Sequence, residues 1–189
     1  MKNSFTVIYD ANILYPAPLR DILMELCRTD LFRARWTEEI HQEWIRNVHE
    51  NKKIPLDKLN KVKELMNQAA EGCLVDGHQD LINCLSLPDP DDRHVLAGAI
   101  KCNADAIVTF NLKDFPNDIL VQYEVEAIHP DDFITDLFDL CTPKVVQSMR
   151  THRARLNYPP LTPDEYIQCF AKQGLTNTVR LLEVYKTIL

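Results

Sequence analysis

Glycine is scarce in this 189-residue chain, which contains only four. Phosphate-binding loops such as G-x-G-x-x-G and the P-loop need closely spaced glycines, so the sequence excludes both. Metal-binding pairs are also missing, because the six cysteines form no C-x-x-C pair and the six histidines form no H-E-x-x-H motif. Buried free thiols in a reducing compartment are the expected state of the cysteines.

Long apolar runs are absent as well. None approaches the length of about 18 residues that a membrane-spanning helix requires. The N-terminal stretch MKNSFTVIYD lacks the apolar core of a signal peptide. We therefore expect a cytoplasmic protein that does not enter a membrane.

Charge is unevenly distributed along the chain, whose net charge is −7. An acidic surface repels phosphate backbones, which argues against indiscriminate nucleic-acid binding. Five aspartates and no lysine or arginine lie between Gly72 and Asp92, whereas residues 140–163 contain basic residues but no acid. This pattern suits a metal-dependent enzyme that acts on a polyanion, although two solvated faces would give the same counts.

Short β-branched runs alternate with amphipathic stretches over the first two thirds of the chain. Strands are predicted at FTVIY, RARW, DAIVTF and EVEAIH, with helices between them, including one capped by Thr37 and one over Leu56–Glu71. This alternation predicts an α/β fold with a parallel sheet and right-handed crossovers. After about Pro130 the pattern is helical, with expected caps at Thr142 and at a Thr162/Glu165 capping box.

Three aspartates begin the helical stretch DPDDRHVLAGAIKCN. Asp89 is a predicted N-cap because Pro90 favours the first helical position. Asp91 and Asp92 are then expected at the second and third helical positions, where negative charge suits the helix dipole. Asp92 shares a face with the apolar residues three, four and seven positions later, so its carboxylate is expected to point inward and to need a partner.

Further acids are expected at the same edge of the sheet. Asp10 ends the first strand, and Asn111 and Asp114 follow the AIVTF strand, so all three lie where parallel strands end. Glu43 borders the apolar stripe of its helix and can reach the same crevice. Such carboxylates, together with Asp92, repel one another unless a cation neutralises them, and hard oxygen ligands select Mg²⁺ or Mn²⁺. The pattern therefore predicts metal-dependent phosphoryl transfer or phosphodiester hydrolysis.

Four segments carry a family resemblance: VIYDANIL, WTEEIHQEW, DPDDRHVLAGAIKCNADAIVTFNLKDFP and VEAIHPDDF. Together they resemble the PIN-domain ribonucleases, particularly the VapC-like toxins of bacterial toxin–antitoxin pairs, over roughly residues 4–135. The resemblance implies a three-layer α/β/α nuclease domain at residues 1–135, followed by a helical extension at 136–189. It also implies a Mg²⁺- or Mn²⁺-dependent endoribonuclease with RNA as substrate and an antitoxin as partner, and it allows a homodimer.

By motif, the resemblance makes Asp10 the first catalytic acid and metal ligand, Glu43 the second and Asp92 the third. Family members often have an aspartate where this chain has Asn111. Either Asp114 takes the fourth position, or the site uses three acids.

Supporting residues follow from the same motifs. Asn111 and Thr109 are expected to assist the acids, and Asn12 either binds a ligand or phosphate or caps the following turn. The basic helix after Pro143 is expected to contact RNA phosphates, although binding a partner and a purely structural role remain alternatives. Its candidate residues are Arg150, Arg153 and Arg155.

Two other functions remain open at this point. The segment DANIL after a strand is similar to the D-x-D motif of haloacid-dehalogenase-like phosphatases, with Thr109 and Lys113 as further matches. Against that alternative, Asn12 replaces the second aspartate and Glu43 has no role. The other alternative is a catalytically silent module that binds RNA or has a regulatory role.

Overall fold

A computed structural model of the protein describes residues 5–189. Residues 1–4, part of the stretch interpreted as lacking a signal peptide, lie outside the described residues. Backbone contacts group the described residues into two compact units, residues 5–15 with Phe32–His129, and Pro16–Leu31 with Pro130–Leu189. The sequence-based boundary between a nuclease domain at residues 1–135 and a helical extension at 136–189 stays a prediction.

A four-stranded sheet forms the centre of the first unit. Its strands are β1 (Thr6–Tyr9), β2 (Arg33–Arg35), β3 (Ala106–Val108) and β4 (Glu126–Ile128). They lie in the order β2-β1-β3-β4, and every neighbouring pair is parallel. The predicted fold class, a three-layer α/β/α domain with a central parallel sheet and a helical extension, is confirmed.

The α-helices of the described residues are α1 (Ala11–Leu14), α2 (Ala17–Leu26), α3 (Glu38–Lys52), α4 (Leu56–Ala69), α5 (Gln79–Ile82), α6 (Arg93–Lys101), α7 (Asn117–Leu120), α8 (Pro130–Arg155), α9 (Pro163–Ala171) and α10 (Thr176–Tyr185). In the first unit, the predicted cap of α3 is confirmed, because the Thr37 hydroxyl accepts the N–H of Ile40 at 3.1 Å. Helix α4 matches its predicted range to within two residues.

Close packing of α6 on the sheet depends on Gly98. A Cβ atom at this position would lie 2.7 Å from Cδ1 of Ile8 on β1 and 2.9 Å from Cγ2 of Thr37. Real Cβ atoms essentially never lie this close to another atom, so a larger residue at this position would force Ile8 and Thr37 to shift. Since Asp92 immediately precedes α6, this contact also helps to determine where that carboxylate lies relative to β1.

The second unit consists of α2 and the helices from α8 onward. The capping box at Thr162 and Glu165 is confirmed. The predicted cap at Thr142 is wrong: the backbone of α8 breaks at Cys141, and the Thr142 hydroxyl donates to the Phe138 carbonyl at 2.8 Å. Threonine often bonds back to the carbonyl four residues earlier, which competes with capping.

A buried carboxylate secures the start of α10. Asp131, near the start of α8, is 5% exposed, and its two oxygens accept the N–H groups of Asn177 and Thr178, each at 2.8 Å. These bonds satisfy backbone donors that the helix itself leaves unpaired.

The expectation that the six cysteines are buried holds only for Cys73. Cys84 is exposed and the other four are half-buried. Within residues 5–189, no helix is both long and apolar enough to cross a membrane.

Candidate active site

Asp10 follows directly on β1 and is 3% exposed. Its Oδ2 accepts hydrogen bonds from the Thr109 hydroxyl and from the side-chain amide of Asn12, both at 2.6 Å. The same amide lies 2.9 Å from Oγ1 of Thr109. Tyr9 pairs with Val108 across the sheet, so the next residue of each strand lies at the same level. The structure thus brings together three predicted site residues.

The surroundings of Asp10 disfavour its negative charge. Burial raises the pKa of this carboxyl group to about 6. The hydrogen bond from Thr109 opposes the shift, and the nearby charge of Glu43 adds to it. A nearby cation would therefore stabilise the ionised form of Asp10.

The segment before α6 differs from its prediction. Residues Pro90–Asp92 form a 3₁₀ turn, and α6 begins at Arg93, so the second and third α-helical positions predicted for Asp91 and Asp92 are wrong. The cap at Asp89 is confirmed, because its Oδ1 accepts the N–H of Asp91 at 2.9 Å. A hydrogen bond from a side chain to the N–H two residues later favours a tight turn over a full α-helical turn.

Three carboxylates converge beside this turn. One oxygen from each of Asp89, Asp92 and Asp114 lies within 4.8 Å of the others, the one group of three or more potential metal ligands so close together in residues 5–189. Side chains three positions apart eclipse each other in a 3₁₀ turn, which explains why Asp89 joins Asp92. Sequence reasoning assigned Asp89 to capping alone; the signal it missed was the D-P-D-D spacing.

Asp92 belongs to the acid cluster, which we define as Asp89, Asp92 and Asp114. It is half-buried, and burial together with neighbouring negative charge raises its pKa to about 7. After burial, the contributing charges are those of Asp10, Asp89, Asp114 and Glu43. Each of these four acids therefore interacts electrostatically with Asp92.

Asn111 supports the acid cluster from the loop after β3. Its side-chain amide donates to the Asp114 carboxylate, and its backbone N–H donates to Oγ1 of Thr109 at 2.9 Å. Asp114 thus lies in the cluster, with Asn111 as its hydrogen-bond donor. The choice between them as a metal ligand stays a prediction.

Glu43 projects from α3 at the margin of the cluster. It lies outside the 4.8 Å group, but its charge raises the pKa of both Asp10 and Asp92. Its Oε2 contacts Nε2 of His94, on α6, at 3.2 Å. Sequence reasoning missed His94, whose position two residues after Asp92 carries no periodic signal.

The three predicted RNA-contacting arginines lie on α8 in the second unit, in different surroundings. Arg153 donates to the carbonyl oxygens of Leu189 at 2.8 Å and Leu161 at 2.6 Å. Arg155 is exposed and pairs with Glu25. Arg150 is exposed and has no ion pair within the described part of the chain. Their contribution to RNA binding stays a prediction.

The donor set fits a divalent cation. Within residues 5–189, no lysine or arginine forms an ion pair with Asp10 or with any member of the acid cluster. Carboxylates that are crowded, partly buried and unpaired need a counter-charge, and hard oxygen donors select Mg²⁺ or Mn²⁺.

Comparison with known proteins places this arrangement in a family. A family model described as "PIN domain" matches residues 6–113, more than half of the chain. This chain belongs to the PIN-domain family. The matched range includes Asp10, Glu43, Asp89 and Asp92, and it ends one residue before Asp114. Membership in this family replaces the haloacid-dehalogenase alternative.

Two further similarities extend the PIN assignment. A family model described as "VapC50 C-terminal domain" matches residues 130–184. A Mycobacterium tuberculosis protein named "Putative ribonuclease VapC50" is 41% identical over 100 residues. These residues are 51% of this chain and 57% of that protein, so the match spans little more than half of the relative. Both similarities make this PIN protein VapC-like.

Proposed function

We propose that this PIN-domain protein is a Mg²⁺- or Mn²⁺-dependent endoribonuclease and the toxin of a toxin–antitoxin pair. The observation that carries the proposal is the acid cluster, whose three carboxylates converge within 4.8 Å beside the buried Asp10. Similarity to a protein named as a ribonuclease supports RNA as the substrate.

The roles of the acids follow from their positions. Asp10, Glu43, Asp92 and Asp114 would hold the cation, and the geometry adds Asp89 to this set. A bound divalent cation activates a water molecule and stabilises negative charge on the leaving oxygen. Thr109 and Asn12 hold the Asp10 carboxylate in one orientation, and Asn111 does the same for Asp114.

The proposal includes two partners. Exposed arginines of α8, namely Arg150 and Arg155, would contact RNA phosphates, and a cognate antitoxin protein would bind and inhibit the enzyme. A homodimer is part of the same proposal. Size-exclusion chromatography coupled to light scattering measures the molar mass and so tests the homodimer. A protein that co-purifies with the enzyme and abolishes RNA cleavage would be the antitoxin.

The decisive experiment compares two adjacent aspartates. Purified Asp92→Asn and Asp91→Asn variants are incubated with labelled RNA in Mg²⁺, in Mn²⁺ and in a chelator. We expect Asp92→Asn to lose cleavage while remaining folded, because a cation ligand is lost without a change in size. Asp91→Asn is the matched control and should cleave like the wild type, because Asp91 is exposed and outside the cluster.

Three results would count against the proposal. Wild-type cleavage by Asp92→Asn would remove the acid cluster from the mechanism. Cleavage that survives chelation would remove the cation. RNA binding by the wild type without cleavage in either cation would favour the catalytically silent module instead.

A further inference from the structure

His94 connects helix α6, which begins directly after Asp92, with helix α3, which carries Glu43. It lies on α6, two residues after Asp92, and its Nε2 is 3.2 Å from Oε2 of Glu43 on α3. The two side chains are 15% and 31% exposed, so the contact is largely shielded from solvent. Shielding strengthens a hydrogen bond relative to the same pair on an open surface.

The direction of this hydrogen bond follows from the chemistry of its partners. An ionised carboxylate only accepts, so Nε2 of His94 carries the proton and donates it. A neutral imidazole is sufficient for this role. The other ring nitrogen, Nδ1, is buried and has no hydrogen-bond partner within residues 5–189, so the interaction of the ring with Glu43 is its principal polar contact.

A second glutamate of α3 provides a comparison. Glu39 lies one helical turn before Glu43, and each of its oxygens has a polar neighbour, although only Oε1 accepts a hydrogen bond. Oε1 accepts from Nε2 of Gln79 at 3.1 Å, and Oε2 lies 3.4 Å from Nε2 of His78. At Glu43 the protein engages Oε2 alone, and Oε1 has no hydrogen bond to any other described residue. Both oxygens of Glu39 thus lie near side chains outside the acid cluster, whereas Glu43 has its one hydrogen bond through Oε2 and leaves Oε1 without one.

We propose that His94 is a positioning residue that restricts Glu43 to a single cation-binding oxygen, and that it thereby sets the preference of the site for Mg²⁺ or Mn²⁺ over Ca²⁺. This inference rests on the proposed function of the acids. It concerns the substrate-free site and does not require that His94 touch RNA.

The cation preference of the site depends on how many carboxylate oxygens can bind the cation. Ca²⁺ is large, takes six to eight oxygens and readily accepts both oxygens of one carboxylate. Mg²⁺ is small and demands near-octahedral geometry, which separate single oxygens satisfy better. Without His94, the Glu43 side chain regains its rotamer freedom and offers both oxygens. Binding of the smaller cation then weakens more than binding of Ca²⁺.

The test measures cation binding without RNA. Calorimetric titrations with MnCl₂ and with CaCl₂ are compared for the wild type, His94→Leu, His94→Gln and Glu39→Gln. Loss of an outer hydrogen-bond partner typically lowers metal affinity about 10- to 100-fold, so we expect a loss of this size for Mn²⁺ in His94→Leu and a smaller loss for Ca²⁺. His94→Gln restores the preference for Mn²⁺, because its amide donates from nearly the same position. Glu39→Gln, the matched control on the same helix, leaves the preference unchanged.

The outcomes separate this inference from the proposed function. An unchanged Mn²⁺-to-Ca²⁺ preference in His94→Leu overturns the role of His94 even if the wild type binds both cations. Failure of the wild type to bind either cation overturns the proposed function instead. If His94→Leu does not fold, His94→Phe retains a large ring without a donor, and its Mn²⁺-to-Ca²⁺ preference decides the question in the same way.

Discussion

Asp89 combines a structural and an electrostatic position in one side chain. Its Oδ1 accepts the backbone N–H of Asp91, and one of its oxygens lies within 4.8 Å of those of Asp92 and Asp114. Capping needs an acceptor oxygen, whereas cation binding also needs negative charge. The two contributions are therefore separable by substitution.

Replacing Asp89 by Asn or by Ala should separate them. Asp89→Asn keeps the acceptor, so we expect an almost unchanged free energy of unfolding in chelator but weaker Mn²⁺ binding. Asp89→Ala loses the cap as well and should cost a further 0.5–2 kcal/mol, roughly the range measured for lost N-caps. Urea denaturation and calorimetric titration measure the two quantities. Wild-type Mn²⁺ affinity in Asp89→Asn would restrict Asp89 to capping.

At the scale of elements, the distance between α6 and β1 determines where Asp92 lies. The helix can lie this close because Gly98 has no side chain, and a Cβ there would come within 2.7 Å of Cδ1 of Ile8. Glycine in a helix interior costs about 1 kcal/mol relative to alanine. The close approach of α6 thus outweighs a local preference for alanine.

Gly98→Ala should therefore destabilise the protein despite its better helix propensity. Overpacking of a core typically costs about 1–3 kcal/mol, more than the gain in propensity. The variant Ile8→Val removes the clashing Cδ1 atom, so Ile8→Val/Gly98→Ala should be less destabilised than the sum of its single changes. Urea denaturation of the four proteins tests this. Strict additivity would show that the contact with Ile8 does not limit the packing.

Helix α8 contains arginines with different expected roles. Arg153 donates to two carbonyl oxygens within the second unit, whereas Arg150 is exposed. We expect Arg153→Ala to lower the free energy of unfolding by roughly 1.5–3 kcal/mol, as for other hydrogen bonds to charged groups. Arg150→Ala should leave stability within about 0.5 kcal/mol of the wild type.

For RNA binding, we expect Arg150→Ala to have a larger effect than Arg153→Ala. In an Asp92→Asn background, which prevents cleavage, Arg150→Ala should reduce the slope of log affinity against log salt by about one contact. Fluorescence anisotropy at several salt concentrations measures this slope. An unchanged slope in Arg150→Ala and in Arg155→Ala would assign α8 to packing or to partner binding.

At the scale of the whole molecule, concentrated negative charge makes stability depend on pH. The pKa of Asp10 is raised to about 6 and that of Asp92 to about 7, so the cation-free folded protein binds their protons more tightly than the unfolded chain. Their contribution to stability is present at low pH and is lost as pH rises through 6 to 7. His152 has the opposite effect on stability. Burial lowers its pKa to about 4, so its contribution to stability is lost as the pH falls from its ordinary pKa toward 4.

Comparing variants isolates the contribution of the acids. In chelator, Asp92→Asn should have nearly the melting temperature of the wild type at pH 5, where Asp92 is protonated. At pH 8 the variant should melt higher, because one of the repelling charges is gone. Added Mn²⁺ should stabilise the wild type at pH 8 more than the variant. A melting-temperature difference that does not change between pH 5 and pH 8 would contradict the raised pKa.

The amino-acid sequence by itself determined the parallel α/β architecture and part of the site. Alternating strand and helix patterns determine the order of elements, and parallel strands end at one edge, so Asp10 and Thr109 were predictable neighbours although they are 99 positions apart. The cap at Thr37 follows from its residue type directly before a helical pattern, which needs no knowledge of the packing.

Only the tertiary structure decided which carboxylates share the cluster and how they are held. Asp89 joins it because a 3₁₀ turn replaces the first α-helical turn, and a proline after an N-cap is compatible with both. Glu43 meets His94 across 51 positions because α3 packs beside α6. Such contacts depend on the separation and rotation of packed helices, which the side chains of the whole core determine together, so no local pattern encodes them.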